Sequence, residues 1–148
     1  MRLSLHTDFS LRVLMYLGSL EPAQLATTPV IAERFDVSVH HLQKVVQTLR
    51  KLGLIETVQG HGGGMRLAVP AAGIRLGSLV RLLESTGMLV DCGRGPCPLA
   101  GCCALKGALD EAEAAFFDKL DQSTLADALA PRTRARLHVL HRTGVTAA

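Results

Sequence analysis

Phe9, Val13, Tyr16, Leu17 and Leu20 recur at helical spacing near the start of the chain and predict an amphipathic helix. Thr7 stands where a cap is wanted, and Asp8 falls in the first turn, where an acid suits the positive end of the helix dipole. Glu21-Pro22 ends the run. A second helix is predicted to open at Thr28-Pro29, a capping residue followed by a proline suited to a first turn. It takes in Val30, Ile31, Ala32 and Arg34 and stops near Asp36. After a tight turn at Asp36-Val37, Ser38 is expected to cap a third helix. Its apolar positions Val39, Leu42, Val45, Val46, Leu49 and Leu52 form one stripe, and Gly53 supplies a left-handed terminator. Two β-rich stretches follow, at residues 54–58 and 65–69. Between them lies the glycine-rich tip Gln59-Gly60-His61-Gly62-Gly63-Gly64.

Helix, short turn, helix and then a hairpin is the pattern of a winged helix-turn-helix. Beyond a linker at residues 70–73, a helix is predicted over 76–89 with Leu79, Leu82 and Leu83 inward. A loop containing Gly93, Gly95, Pro96, Pro98 and Gly101 excludes regular structure, and a long helix is predicted over 104–120. Leu105, Ala108, Leu109, Ala112, Ala115, Phe116 and Leu120 make an apolar stripe along that helix. So small a chain offers little surface to cover it, which makes a second copy the natural partner. The expected fold class is mainly α with a small β-hairpin wing, plus a long dimerisation helix. The expected organisation is a DNA-binding domain over 1–73, a loop and dimerisation helix over 74–130, and a basic tail over 131–148. The last dozen residues are expected to be partly disordered.

Composition adds two constraints. Only Phe9, Tyr16, Phe35, Phe116 and Phe117 are aromatic, so the core must be largely Leu, Val and Ala, which suits packed helices. The net charge of +3 says less than its distribution. Residues 1–70 hold seven Lys/Arg against five Asp/Glu and four His; residues 91–130 hold three against seven; the tail holds Arg132, Arg134, Arg136 and Arg142 and no acid. A mildly basic front permits a polyanionic partner. No export signal or membrane span is legible, so the cytoplasm is the expected compartment.

On the third helix Ser38, His40, His41, Gln43, Lys44, Gln47 and Arg50 are candidate DNA contacts. Gln suits adenine and Lys suits guanine or phosphate, and residues nearest the N-terminus of such a helix point into the major groove. His61 and Arg66 are the wing candidates, with Arg66 expected in a minor groove or on phosphate. The competing reading is a merely solvated helix face. The full helix-turn-helix and wing weigh against it.

The four cysteines Cys92, Cys97, Cys102 and Cys103 lie within twelve residues. Without an export signal, clustered thiols read as metal ligands or redox groups before disulfides. The spacing is Cys92-x4-Cys97, then Cys97-x4-Cys102 or Cys97-x5-Cys103. Zinc sites usually pair two close cysteines with a distant second pair, whereas even spreading suits an iron–sulfur cluster whose several irons must each be reached. Zinc, or thiols without metal, remain alternatives.

These motifs together resemble the iron–sulfur winged-helix repressors that include NsrR and IscR. The resemblance is carried by His6-Thr7-Asp8-Phe9-Ser10-Leu11-Arg12-Val13-Leu14 and by Gly60-His61-Gly62-Gly63-Gly64-Met65-Arg66-Leu67. Cys97-Pro98-Leu99-Ala100-Gly101-Cys102-Cys103-Ala104-Leu105 and Ser123-Thr124-Leu125-Ala126-Asp127 complete it, over about residues 1–130. The match is nearest to the nitric-oxide-sensing members. It implies a homodimeric repressor on a palindromic operator that is released on nitrosylation of a [4Fe-4S] cluster, with [2Fe-2S] as a variant. It implies Cys92, Cys97 and Cys103 as ligands, with Asp8 of the other subunit as the fourth. IscR-like members use a His shortly after the third cysteine; here Ala104-Leu105-Lys106-Gly107 has none. Two departures keep Cys102 in play: the first gap is one residue shorter than usual, and Cys102 is extra. Asp8 also reads as an ordinary helix N-terminal acid. The other functional classes are a thiol- or zinc-based redox regulator of DNA and a redox enzyme or electron carrier. No flavin or nicotinamide fingerprint and no catalytic constellation support an enzyme.

Overall fold

The computed structural model describes residues 3–84, 89–93 and 95–142. Helices α1 (Leu5–Gly18), α2 (Thr28–Phe35) and α3 (Val39–Lys51) precede strands β1 (Ile55–Val58) and β2 (Gly64–Leu67). A 3-10 turn at Ala71–Gly73 leads to α4 (Leu76–Leu83), α5 (Ala104–Leu120), α6 (Leu125–Ala128) and α7 (Pro131–Arg142).

Helix α1 starts earlier than its apolar pattern predicts. Ser4, not Thr7, is the N-cap and accepts from the Thr7 N–H at 3.2 Å, while Thr7 itself is fully buried. Asp8 does fall in the first turn. Thr27 rather than Thr28 precedes α2, which Asp36 ends in the left-handed region at φ 51°. A three-residue link then turns the chain into α3. Ser38 occupies the N-cap position there without a side-chain cap bond. Leu42, Val45 and Leu49 carry the buried stripe of α3, whereas its end positions Val39 and Leu52 are exposed. Gly53 follows at φ 68°, the left-handed exit expected of it.

The wing is antiparallel, with Ile55 opposite Leu67, Glu56 opposite Arg66 and Thr57 opposite Met65. Ala26 pairs with Met65 on the other side and ties the wing to the chain before α2. Val13, Leu14 and Leu17 of α1 meet Ile31, Leu42, Val45, Leu49, Ile55 and Met65 in one core. Ile74, Leu79, Leu83, Leu125, Leu129 and Leu137 extend the same core. Burying each large aliphatic side chain contributes about 2 kcal/mol.

Three expectations change. Leu82 points outward at 62% exposure, while Leu79, Val80 and Leu83 face inward. The predicted continuation of α4 through residues 85–88 lies outside the described residues, and Leu89 is in a bend. On α5 the buried residue is Phe117, not a member of the stripe. Leu105 and Phe116 are exposed, and Arg81 stacks its guanidinium 4.5 Å from the Phe117 ring centre.

The basic segment after Pro131 is helix α7, docked on α1; residues 143–148 lie outside the described residues. Leu137 is buried, the His138 Nε2–H donates to the Ser19 backbone oxygen at 3.0 Å, and His141 Nε2 lies 3.2 Å from Ser19 Oγ. The His141 ring meets Tyr16 edge-on at 4.5 Å. Burial first, then the neighbouring His138 and Arg34, push the His141 pKa below its ordinary value of 6.5. Such a depressed histidine adds stability that is full above the ordinary value and is lost as pH falls through the folded one. The melting temperature is therefore expected to drop as the pH is lowered below about 6.5. In His141→Gln that part of the drop should be absent; an unchanged pH profile would remove His141 as its source.

Candidate nucleic-acid interface and cysteine cavity

Because Leu42, Val45 and Leu49 point into the core, the opposite face of α3 is presented to solvent. His40, His41, Gln43, Lys44, Gln47 and Arg50 are all exposed on it, and Ser38 is exposed at its start. The donors and acceptors of this face thus lie on a helix whose other side is fixed by core packing. The His41 ring lies 6.3 Å from that of Phe9, so α1 touches the same helix near its N-terminus.

The wing presents His61 between Gly60 at φ 107° and Gly62 at φ 78°. Gly63 closes the turn through its N–H to the Gly60 oxygen at 3.0 Å. A Cβ on Gly63 would lie 2.3 Å from the Val58 oxygen, so the tip needs glycine there for close backbone approach. Arg66 departs from expectation. It stands opposite Glu56 on the wing and is ion-paired with it, so its guanidinium already has a carboxylate partner in the free protein.

Cys92, Cys97, Cys102 and Cys103 are all free thiols and line one open cavity of about 440 Å³ ahead of and along the first turns of α5. Cys103 is the N-cap residue of α5. Cys102 is the exposed member, its Sγ donating to the Leu99 oxygen at 3.5 Å, and the other three are half-buried. Glycine and proline keep this stretch irregular: Gly101 is left-handed at φ 84°, and turns join Cys97 to Ala100 and Leu99 to Cys102. Among the described residues no three His, Cys, Asp or Glu side chains converge to hold a single metal ion. A polynuclear cluster needs no such convergence, because its thiolates bind different irons. Four soft sulfur donors on one cavity wall fit that group.

Two cations escaped the reading of the sequence. Lys106 lines the cavity and is ion-paired with Asp110, also at its rim. The Asp110 hydrogen bond raises the Lys106 pKa, and the charges of Cys92 and Cys103 add to it. Arg12 holds Asp8 in a two-point pair, with distances of 3.1 and 2.8 Å. Both are i, i+4 pairs, a spacing legible in the sequence. Asp8 is not among the described side chains lining the cysteine cavity of its own chain. Its two-point pair with Arg12 is a contact made within one subunit.

Among the described residues no helix is long and apolar enough to cross a membrane. A family model described as Rrf2, iron-dependent transcriptional regulator, matches residues 3–131. The HTH-type transcriptional regulator NsrR of Geobacillus kaustophilus (strain HTA426) is 42% identical over 147 residues, covering 97% of this chain and all of that protein. The NsrR of Bacillus subtilis (strain 168) is 39% identical over 130 residues, covering 86% and 89%. Among solved structures, Staphylococcus aureus CymR in its oxidised form is 31% identical with a TM-score of 0.71, covering 88% of this chain and 97% of that one. T. potens IscR is 25% identical with a TM-score of 0.74, covering 92% and 91%.

Proposed function

Because this chain belongs to the Rrf2 family of transcriptional regulators, we propose that it is a homodimeric repressor that senses nitric oxide through an iron–sulfur cluster and acts in the cytoplasm. It is a DNA-binding regulator and not an enzyme. The observation that carries the sensing reading is the gathering of Cys92, Cys97, Cys102 and Cys103 on one cavity wall.

Cys92, Cys97 and Cys103 would hold a [4Fe-4S] cluster, with Asp8 of the second subunit or Cys102 as the fourth ligand. When bound, the cluster supplies iron that nitric oxide attacks. The chain's own residues do the rest. Lys106 places a positive charge beside the sulfurs, which offsets the negative charge that thiolate ligands gather in one place. The Gly101 turn and the turns at Cys97 and Leu99 let the loop fold around an inserted group without breaking α5. If Asp8 is the fourth ligand, its release from Arg12 accompanies ligation. That exchange would tie the loop of one subunit to α1 of the other.

The outward stripe of α5, with Leu105 and Phe116 exposed, supports a second copy as its cover. Two copies would present two α3 faces to a palindromic operator. On each, His40, His41, Gln43, Lys44, Gln47 and Arg50 supply base or phosphate contacts, with Ser38 at the helix start and His61 at the wing. Arg66 must exchange Glu56 for phosphate to take part.

A zinc- or thiol-based redox regulator is the competing reading. The exposed Cys102 beside Cys103 favours it. One assay separates the two: iron, sulfide and zinc determined on anaerobically purified protein, with DNA binding measured before and after nitric oxide. About four irons and four sulfides per chain, with loss of DNA binding on nitric oxide, is the expected result. Zinc, or no metal in strictly anaerobic protein, would replace the cluster reading with the thiol or zinc one.

A further inference from the structure

Glu84 directly follows α4, and Cys92 comes only a short segment later. Its carboxylate is turned back toward the far end of the chain. Glu84 Oε1 accepts from the Ser4 backbone N–H at 2.7 Å. Ser4 is the N-cap of α1, and its Oγ lies 3.1 Å from Thr7 Oγ1. Burial pushes the Glu84 carboxyl up, but the bonds from Thr7 and Ser4 and the charge of His6 outweigh it and hold it below its ordinary range. An acid just after α4 thus completes the cap of α1, giving a partner to the N–H of its N-cap residue.

What hangs from this joint makes it more than a cap. The Asp8 N–H donates to the Ser4 oxygen at 3.0 Å, so the anchored residue begins the turn that carries Asp8. Phe9, the next residue, meets His41 on the recognition face of α3. Thr7 is fully buried, which leaves the joint little room to slide. On the other side, the chain runs from Glu84 into the segment that ends at Cys92. We propose that Glu84 is a positioning residue that ties the root of the cysteine loop to the first turn of α1 within one subunit, so that the state of the loop reaches α3 through α1. This rests on the proposed cluster-dependent control of DNA binding, and differs from a ligand donated across the dimer because both ends belong to one chain.

The test compares wild type, Glu84→Ala and Glu84→Gln, each with and without its cluster. Three quantities are measured: iron and sulfide content, DNA affinity, and hydrogen exchange of the amides of Ser4 to Phe9. In Glu84→Ala, loading and the affinity of the cluster-free form should match wild type. The ratio of loaded to cluster-free affinity should fall by about fivefold or more. The exchange difference between the two forms in the first turn of α1 should vanish. Glu84→Gln keeps an acceptor for the Ser4 N–H and should recover most of both effects. Glu84→Asp, which keeps the charge but draws the carboxylate back from the Ser4 N–H, carries the test should Glu84→Ala not fold.

A merely structural cap would lower the melting temperature and leave the affinity ratio and the exchange difference intact, which overturns the proposal. Wild type that loads no cluster overturns the sensing reading instead. The joint is then tested by oxidising the loop thiols with diamide, and it fails if the exchange of the first α1 turn does not respond.

Discussion

Replacing Cys97 with serine is expected to abolish iron–sulfur loading and to weaken anaerobic DNA binding on the order of a hundredfold, about 2.7 kcal/mol. The substitution is close to isosteric. The Cys97 backbone oxygen accepts from the Ala100 N–H at 3.0 Å, a turn that serine keeps. What is lost is the sulfur: a hydroxyl at neutral pH is a hard, protonated donor, and iron in sulfide clusters is held by soft thiolates. The cysteines share one cavity, so removing a ligand leaves the site incomplete rather than shifting it elsewhere. Cys102→Ser is the internal control. It should load iron and bind DNA as wild type does if Cys103 is the third thiolate. Loss in Cys102→Ser with retention in Cys103→Ser would move the ligand set to Cys102. A Cys97→Ser protein with four irons per chain and unchanged DNA affinity would sink the cluster switch altogether. Iron and sulfide analysis alongside a DNA titration gives both numbers from one preparation.

Gly77→Ala is expected to destabilise the protein by about 3 kcal/mol, although alanine in place of a helical glycine ordinarily stabilises by about 1 kcal/mol. The reversal of sign comes from α5. A Cβ at Gly77 would lie 2.3 Å from the Phe117 backbone oxygen and 2.8 Å from both the Asp121 Cγ and its backbone nitrogen. Backbone atoms cannot swing aside as a flexible side chain can, so α4 and α5 must part. Parting them also strains the cap that Asp121 makes on α4, where Ser78 N–H and Oγ bond to its carboxylate at 2.6 and 3.0 Å. Those bonds, with the charges of Arg75 and Arg81, hold the Asp121 carboxyl below its ordinary range. Arg81 would lose its place over Phe117 as well. Urea unfolding of Gly77→Ala beside wild type measures the effect. A variant as stable as wild type would show that the α4–α5 contact has slack that the structure does not reveal.

Cys97 and Gly77 differ in how far the sequence alone exposes their roles. The cysteine candidates came from type and spacing, because metal ligation needs particular atoms close together in sequence when one loop supplies them. The face of α3 was equally open to reading: Leu42, Val45 and Leu49 at helical spacing leave His40, Gln43, Lys44 and Gln47 on the other side. Gly77 carries no such signal. It is a glycine inside an apolar helical pattern, and the atom that forbids a side chain belongs to a residue forty positions away. Leu82 was misplaced for a related reason. Leu79, Val80 and Leu83 fill the buried side of the helix without it, and the period does not say how wide the buried stripe is.

Local pattern was enough to determine the helices of the winged helix, its hairpin, the left-handed exit at Gly53 and the clustering of thiols. Each depends on periodicity, capping chemistry or backbone preference over a few residues. Tertiary structure alone decided the contacts between elements remote in the chain. It turned Phe117 inward, leaving the α5 stripe outside, and paired Arg66 with Glu56 across the wing. It docked α7 on Tyr16 and Ser19, and it brought Glu84 to the start of α1. Those outcomes rest on which surfaces meet once the elements pack. A short-range pattern carries no information about that, because the same helix face can be covered by its own chain, by a second copy or by DNA.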